Sequence, residues 1–121
     1  WRPFEPTKIA AAVGAGRTVL IDVTADWCIT CQINKALVLD QGRIREILNG
    51  GDVLAMQADW TRPDAVIAGY LAGFGRYGIP FNAVYGPKAP DGIVLPELLS
   101  EAAVMDALRK ASSGPTLQSL K

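Results

Sequence analysis

Histidine is absent from this 121-residue chain. That removes the side chain most often used as a metal ligand and as a general base near neutral pH. Cysteine occurs only twice, and two thiols without an imidazole cannot complete the four-ligand shell of a standard zinc site, so no metal is expected. Net charge is also missing, because 12 basic residues balance 12 acidic ones. The chain therefore offers no basic surface for nucleic acid and no polybasic patch for a membrane. No apolar run approaches the ~20 residues of a membrane-spanning helix, and no leader peptide is visible. The start at Trp1-Arg2-Pro3 is abrupt, as in a domain cut from something longer. Half of the residues are hydrophobic, enough for one compact core in one domain.

The chemistry that is present is concentrated in Cys28-Ile29-Thr30-Cys31. This pair follows the apolar run Val19-Leu20-Ile21-Asp22-Val23 and the tripeptide Ala25-Asp26-Trp27. A Cys-x-x-Cys that follows a strand and opens a helix can cycle between dithiol and disulfide. Unpaired N–H groups and the partial positive charge at a helix start favour a thiolate on Cys28. Cys31, one turn further in, is expected to be more buried. The inferred roles are Cys28 as nucleophile and Cys31 as resolver of the mixed disulfide, with the Cys28–Cys31 disulfide itself as the redox group and no bound cofactor. The competing reading is a pair of structural cysteines that only staple a helix. The compartment stays open at this point, since such a pair works in cytosol or periplasm.

Hydrophobic spacing gives the order helix, strand, helix, strand, helix, strand, strand, helix. Residues 6–13 read as a helix started by Pro6, and residues 19–23 as a buried strand. A helix from Cys28 is expected to carry Ile29, Ile33 and Leu37 inward and to break near Leu39. Asp40 then reads as the N-cap of a helix bearing Ile44, Ile47 and Leu48. Val53–Met56 is the second strand, residues 64–74 a helix, and Phe81–Tyr85 a third strand. Residues 86–92 read as a hairpin loop returning into Ile93-Val94-Leu95, and Ser100 caps the last helix. Alternation early in the chain implies parallel strands with helical crossovers, and the close final pair implies an antiparallel hairpin. An α/β fold follows, with a central mixed sheet flanked by helices on both faces. Residues 1–111 form the domain; residues 112–121 are expected to be a polar, flexible tail.

Asp22 lies within an apolar strand, six positions before Cys28. Burial raises the pKa of a carboxylate, and one beneath the disulfide could accept the Cys31 proton. The alternative is a strand-end acid paired with a lysine or facing water. Ile79-Pro80 joins a loop to a strand; its peptide bond is a candidate for the cis state and leaves nearby backbone groups free to pair with an extended peptide. Trp27 reads as core or as a lid beside Cys28. Trp60, Phe74, Tyr77 and Phe81 read as core or rim aromatics. Lys35, one turn beyond Cys31, is either solvated or close enough to favour the thiolate.

The string from Val19 to Cys31 resembles the active-site segment of the thioredoxin superfamily. Together with Ala58-Asp59-Trp60-Thr61, Tyr77-Gly78-Ile79-Pro80 and Val94-Leu95-Pro96-Glu97-Leu98-Leu99, it most resembles the C-terminal periplasmic domain of the transmembrane thiol:disulfide interchange family, the DsbD type. The resemblance covers residues 4–111. It implies a thioredoxin fold, a cis Pro80 facing the cysteines, and a buried Asp22 beneath them. It also implies a periplasmic domain of an inner-membrane protein, monomeric in isolation. Such a domain relays two electrons from a membrane-embedded domain to an N-terminal periplasmic domain of the same polypeptide, and on to periplasmic thiol-disulfide proteins. Two residues depart from the pattern. Lys35 stands where relatives often carry Glu, and Ala36 stands where thioredoxin has a kinking proline. The rival functions are a free-standing disulfide oxidase or isomerase and, from another class, a non-catalytic interaction domain.

Overall fold

A computed structural model describes residues 1–119. Five strands form one sheet in the order β1-β3-β2-β4-β5. They are β1 (Arg2–Pro3), β2 (Thr18–Thr24), β3 (Val53–Asp59), β4 (Phe81–Gly86) and β5 (Ala89–Val94). β1 and β2 both run parallel to β3, whereas β4 is antiparallel to β2 and to β5. This is the mixed sheet expected from the element order. The helices are α1 (Pro6–Gly14), α2 (Ile29–Asn34), α3 (Gly42–Asn49), α4 (Ala65–Ala72), α5 (Glu101–Ala111) and α6 (Pro115–Gln118).

The sheet is covered on both faces because β2, its central strand, alternates its side chains between two cores. Val19, Ile21 and Val23 pack with Ile9 of α1 and with Ile67 and Leu71 of α4. Leu20 points the other way, into a cluster with Ile44 of α3 and Val104, Leu108 and Ala111 of α5. Helix starts follow local chemistry: Asp64 accepts from the N–H groups of Val66 and Ile67, and Ser100 accepts from Ala103.

Several expectations change. α2 does not turn Ile29, Ile33 and Leu37 inward; all three are exposed. Its inner face carries Cys31 and Asn34 instead. Asn34 fixes that orientation, donating to the Glu97 carbonyl and accepting from the Leu99 N–H. α2 continues into a π-helical turn, Lys35–Leu39, closed by the Asp40 N–H donating to the Lys35 carbonyl. This turn supplies the irregularity that proline would otherwise impose. Asp40 therefore ends the π turn, and Gln41 takes the N-cap position of α3. β1 has no counterpart among the expected elements, because two residues are too few to show a period. The hairpin loop shrinks to Pro87-Lys88, since β4 runs on to Gly86 and β5 begins at Ala89. Gly86 allows a close approach there: a Cβ would lie 2.2 Å from the Ala111 carbonyl oxygen.

The segment expected to be a flexible tail packs down in its described part. Leu117 of α6 is buried against the α5 cluster, and the Gln118 amide donates to the carbonyls of Arg109 and Ser112. One leucine at the right distance from α5 outweighs an otherwise polar composition. Leu120 and Lys121 lie outside the described residues.

Candidate active site

β2 ends at Thr24 and the chain turns through Ala25-Asp26-Trp27 into α2. Cys28 occupies the N-cap position, with extended backbone, and its Sγ accepts from the Cys31 N–H at 3.2 Å. The two sulfurs are bonded to each other, with Cα atoms 5.3 Å apart. Both cysteines are buried, Cys31 more deeply than Cys28. Cys31 Sγ lies 4.0 Å from the Val23 carbonyl oxygen, so the inner sulfur rests on the end of β2. Ala25 and Ile79 complete the apolar surround of the pair. Ile79-Pro80 is a cis peptide, and Pro80 is buried where β4 begins.

Asp22 is buried on the α3–α5 face of β2 and lies in register with two polar residues, Gln57 on β3 and Asn82 on β4. Its Oδ1 accepts from the Asn82 amide at 2.9 Å. Burial pushes the Asp22 carboxyl up to about 6, against the pull of the Asn82 hydrogen bond and of the Lys35 charge. Asp22 Oδ2, Thr24 Oγ1 and Asn82 Oδ1 are buried without a hydrogen-bond partner. Such a carboxyl changes ionisation close to neutral pH, which is what a group that takes and returns a proton requires.

Lys35 belongs to this polar layer. Its ammonium donates to Gln57 Oε1 at 3.1 Å and lies 5.9 Å from the centre of the Trp1 ring. Trp27 is not a core residue. It is exposed, and its indole N–H donates to the Thr61 carbonyl at 3.3 Å. Thr61 is held in turn: its hydroxyl accepts from the Asp26 N–H, and the Asp59 carboxylate accepts from the Thr61 N–H and hydroxyl. Those two bonds hold the Asp59 carboxyl below its ordinary value. Trp27, Trp60, Thr61, Arg62, Pro63, Tyr77 and Gly78 line a groove of about 380 Å³. Phe74 and Phe81 pack together in the core, 5.1 Å between ring centres.

Asn82 and Gln57 were not singled out from the sequence, and Thr61 entered only as part of the Ala58-Asp59-Trp60-Thr61 block, with no role of its own. Asn82 carries the same signal that marked Asp22, a polar residue inside an apolar strand. Gln57 carries none, because its role comes from strand register, and the bonds that Thr61 makes come from loop pairing that its block does not announce. Among the described residues, no group of three or more His, Cys, Asp or Glu side chains is placed to hold a metal ion. No helix of the described residues is long and apolar enough to cross a membrane.

The thioredoxin-like family model matches residues 1–87. Over 89 residues, 71% of this chain, the sequence is 35% identical to a thiol:disulfide interchange protein DsbD of Ralstonia nicotianae. The chain spans 14% of that relative's length, and 12–18% of the other DsbD relatives it matches. The oxidised C-terminal domain of DsbD from Neisseria meningitidis superposes with a TM-score of 0.58 at 25% identity, covering 78% of each chain. A thioredoxin from Thermus thermophilus, 21% identical, shares the fold with a TM-score of 0.64 over 90% of this chain and 83% of that one. The fold is thus the thioredoxin fold, its redox pair opens α2 as in the sequence expectation, and the chain belongs to the thioredoxin-like family.

Proposed function

We propose that this domain relays two electrons by thiol–disulfide exchange. The observation that carries the reading is a bonded cysteine pair at the start of α2, where β2 ends; the same strand holds a buried carboxyl, Asp22, that titrates near neutral pH. In the reduced domain, the Cys28 thiolate attacks one sulfur of a partner disulfide. A Cys28–partner bond forms, the partner's disulfide breaks, and its second sulfur leaves as a thiolate. Asp22 takes the proton of Cys31, whose sulfur attacks Cys28 and releases the partner's first sulfur. The domain ends as the Cys28–Cys31 disulfide, and the partner, having gained two electrons, ends as a dithiol once its thiolates take up protons. The reverse sequence reloads the domain. Ile79, packed against the cysteines, lines the approach together with Pro80 next to it, and Trp27 borders it.

The resemblance to DsbD supports a finer setting. The domain works in the periplasm as part of an inner-membrane protein. It is loaded by a membrane-embedded domain of its own polypeptide and discharges to that polypeptide's N-terminal periplasmic domain and to further thiol-disulfide proteins. A reductant in this class has a potential toward roughly −270 mV rather than −120 mV.

Single-turnover reduction of oxidised glutathione tests the chemistry. Cys28→Ser is expected to abolish it with the fold intact, and Cys31→Ser to stop at the mixed disulfide. Full exchange activity in the Cys28→Ser protein would remove the proposed nucleophile and the reading with it.

A further inference from the structure

α2 and the π turn that continues it present an apolar row to solvent. Ile29, Ile33 and Leu37 are 76, 42 and 67% exposed, and Trp27, just before the disulfide, is 61% exposed. In an α-helix each step of four residues overshoots one turn by about 40°. The wider π turn at Lys35–Leu39 takes back part of that drift, so Leu37 stays with Ile33 on the solvent side. Single exposed apolar side chains are ordinary, but a contiguous row of them marks an interaction surface.

Two features say what covers the row. The first is continuity with the exchange site. Any partner sulfur that reaches Cys28 must stand against Trp27 and Ile29, so the row begins inside that contact and runs about 12 Å along the helix. The second is charge. From Trp27 to Leu39 the only charged side chain is Lys35, and its ammonium is engaged with Gln57 and the Trp1 ring. Between Trp27 and Leu39 an anionic lipid surface would find no cation that is not already engaged. A second copy seated here would cover Trp27 and Ile29 and close off Cys28.

Resting on the exchange function above, we propose that this row docks a redox partner protein whose own cysteine pair is collared by uncharged aliphatic side chains. Ile29 lies at the sulfurs, while Ile33 and Leu37 extend the contact beyond them and select for that collar.

The test uses the reduced chain and two disulfide-closed Cys-x-x-Cys peptides. They are identical except that leucines flanking the cysteines in one are serines in the other. The chain is expected to reduce the leucine peptide at least about tenfold faster, the effect of covering one or two aliphatic side chains. An Ile33→Ser/Leu37→Ser variant, altered only at exposed positions, is expected to reduce both at the slower rate, with unchanged reduction of oxidised glutathione. Equal rates for the two peptides with the unaltered chain, or a preference that survives in the variant, would overturn the proposal. If the unaltered chain reduces neither the peptides nor glutathione, the exchange function itself fails and the docking row falls with it. Row-dependent binding to phosphatidylglycerol vesicles, or a row-dependent dimer in sedimentation, would overturn it in favour of lipid or a second copy.

Discussion

The two faces of β2 are equally buried and do opposite things. Toward α1 and α4, Val19, Ile21 and Val23 are completely covered by apolar neighbours. Toward α3 and α5, Leu20 is joined by Asp22 and Thr24, and polar atoms of Asp22, Thr24 and Asn82 find no partner there. Removing the first set from water lowers the free energy of the fold, whereas removing the second raises it. The strand thus combines a stabilising face with a face whose cost leaves a carboxyl titrating near neutral pH. The cysteine pair follows the end of this strand, with Cys31 Sγ against the Val23 carbonyl.

The largest effect should come from breaking the stabilising face. Ile21→Ala leaves a cavity at a site with no exposure. It is expected to cost about 4 kcal/mol, in the upper range of large-to-small core substitutions. Denaturant unfolding measures this, and the exchange rate per folded molecule should not change. A parallel loss of exchange at full folding would show that the two faces are coupled.

Next is removal of the acid from the other face. The Asp22 carboxyl titrates at about 6 in the folded chain, against an ordinary value of 3.8. Because the folded pKa is the higher one, the folded state binds more protons between those values. The stability contributed by the protonated acid is fully present below pH ~4 and is lost as pH rises through 6. The loss is on the order of 3 kcal/mol. Asp22→Asn in the oxidised chain should therefore stabilise by about that amount at pH 8 and by almost nothing at pH 4, while slowing release of the mixed disulfide. Equal stabilisation at both values would mean that the carboxyl does not carry this pH dependence.

The same contrast explains what was readable in the sequence. The stabilising face was legible because β-branched and aliphatic residues in a short run report burial directly, and Asp22 stood out against that run. The Cys28–Cys31 pair was legible from spacing and context. α2 was misread because it has apolar residues at steps of four on its outer face. Its inner face is chosen by Asn34, which bonds to Glu97 and Leu99 more than sixty positions away. Gln57 was silent for a related reason. Its importance comes from lying opposite Asp22 across the sheet, and register is a property of strand pairing rather than of local composition.

The smallest effect comes through that register. Lys35 donates to Gln57, and its charge lowers the Asp22 pKa, ranking behind burial and the Asn82 hydrogen bond among the causes. Lys35→Met keeps most of the apolar stem and removes the cation. The Asp22 pKa is then expected to rise from about 6, by less than about one unit because the Lys35 charge ranks only third of four influences, behind burial and the Asn82 hydrogen bond and ahead of the Asp40 charge. Loss of the Gln57 and Trp1 contacts should shift stability by the same amount at every pH, and at pH 4 no other change is expected, since Asp22 is protonated there with or without the cation. The fall in stability should finish at higher pH, and release of the mixed disulfide at pH 7 should slow as less Asp22 is ionised. Lys35→Arg keeps the charge and should restore both. A carbon-13 titration of the Asp22 carboxyl reads the shift directly. An unmoved pKa in Lys35→Met would separate the lysine from the acid electrostatically, leaving burial, Asn82 and the Asp40 charge to set when the buried face of β2 accepts a proton.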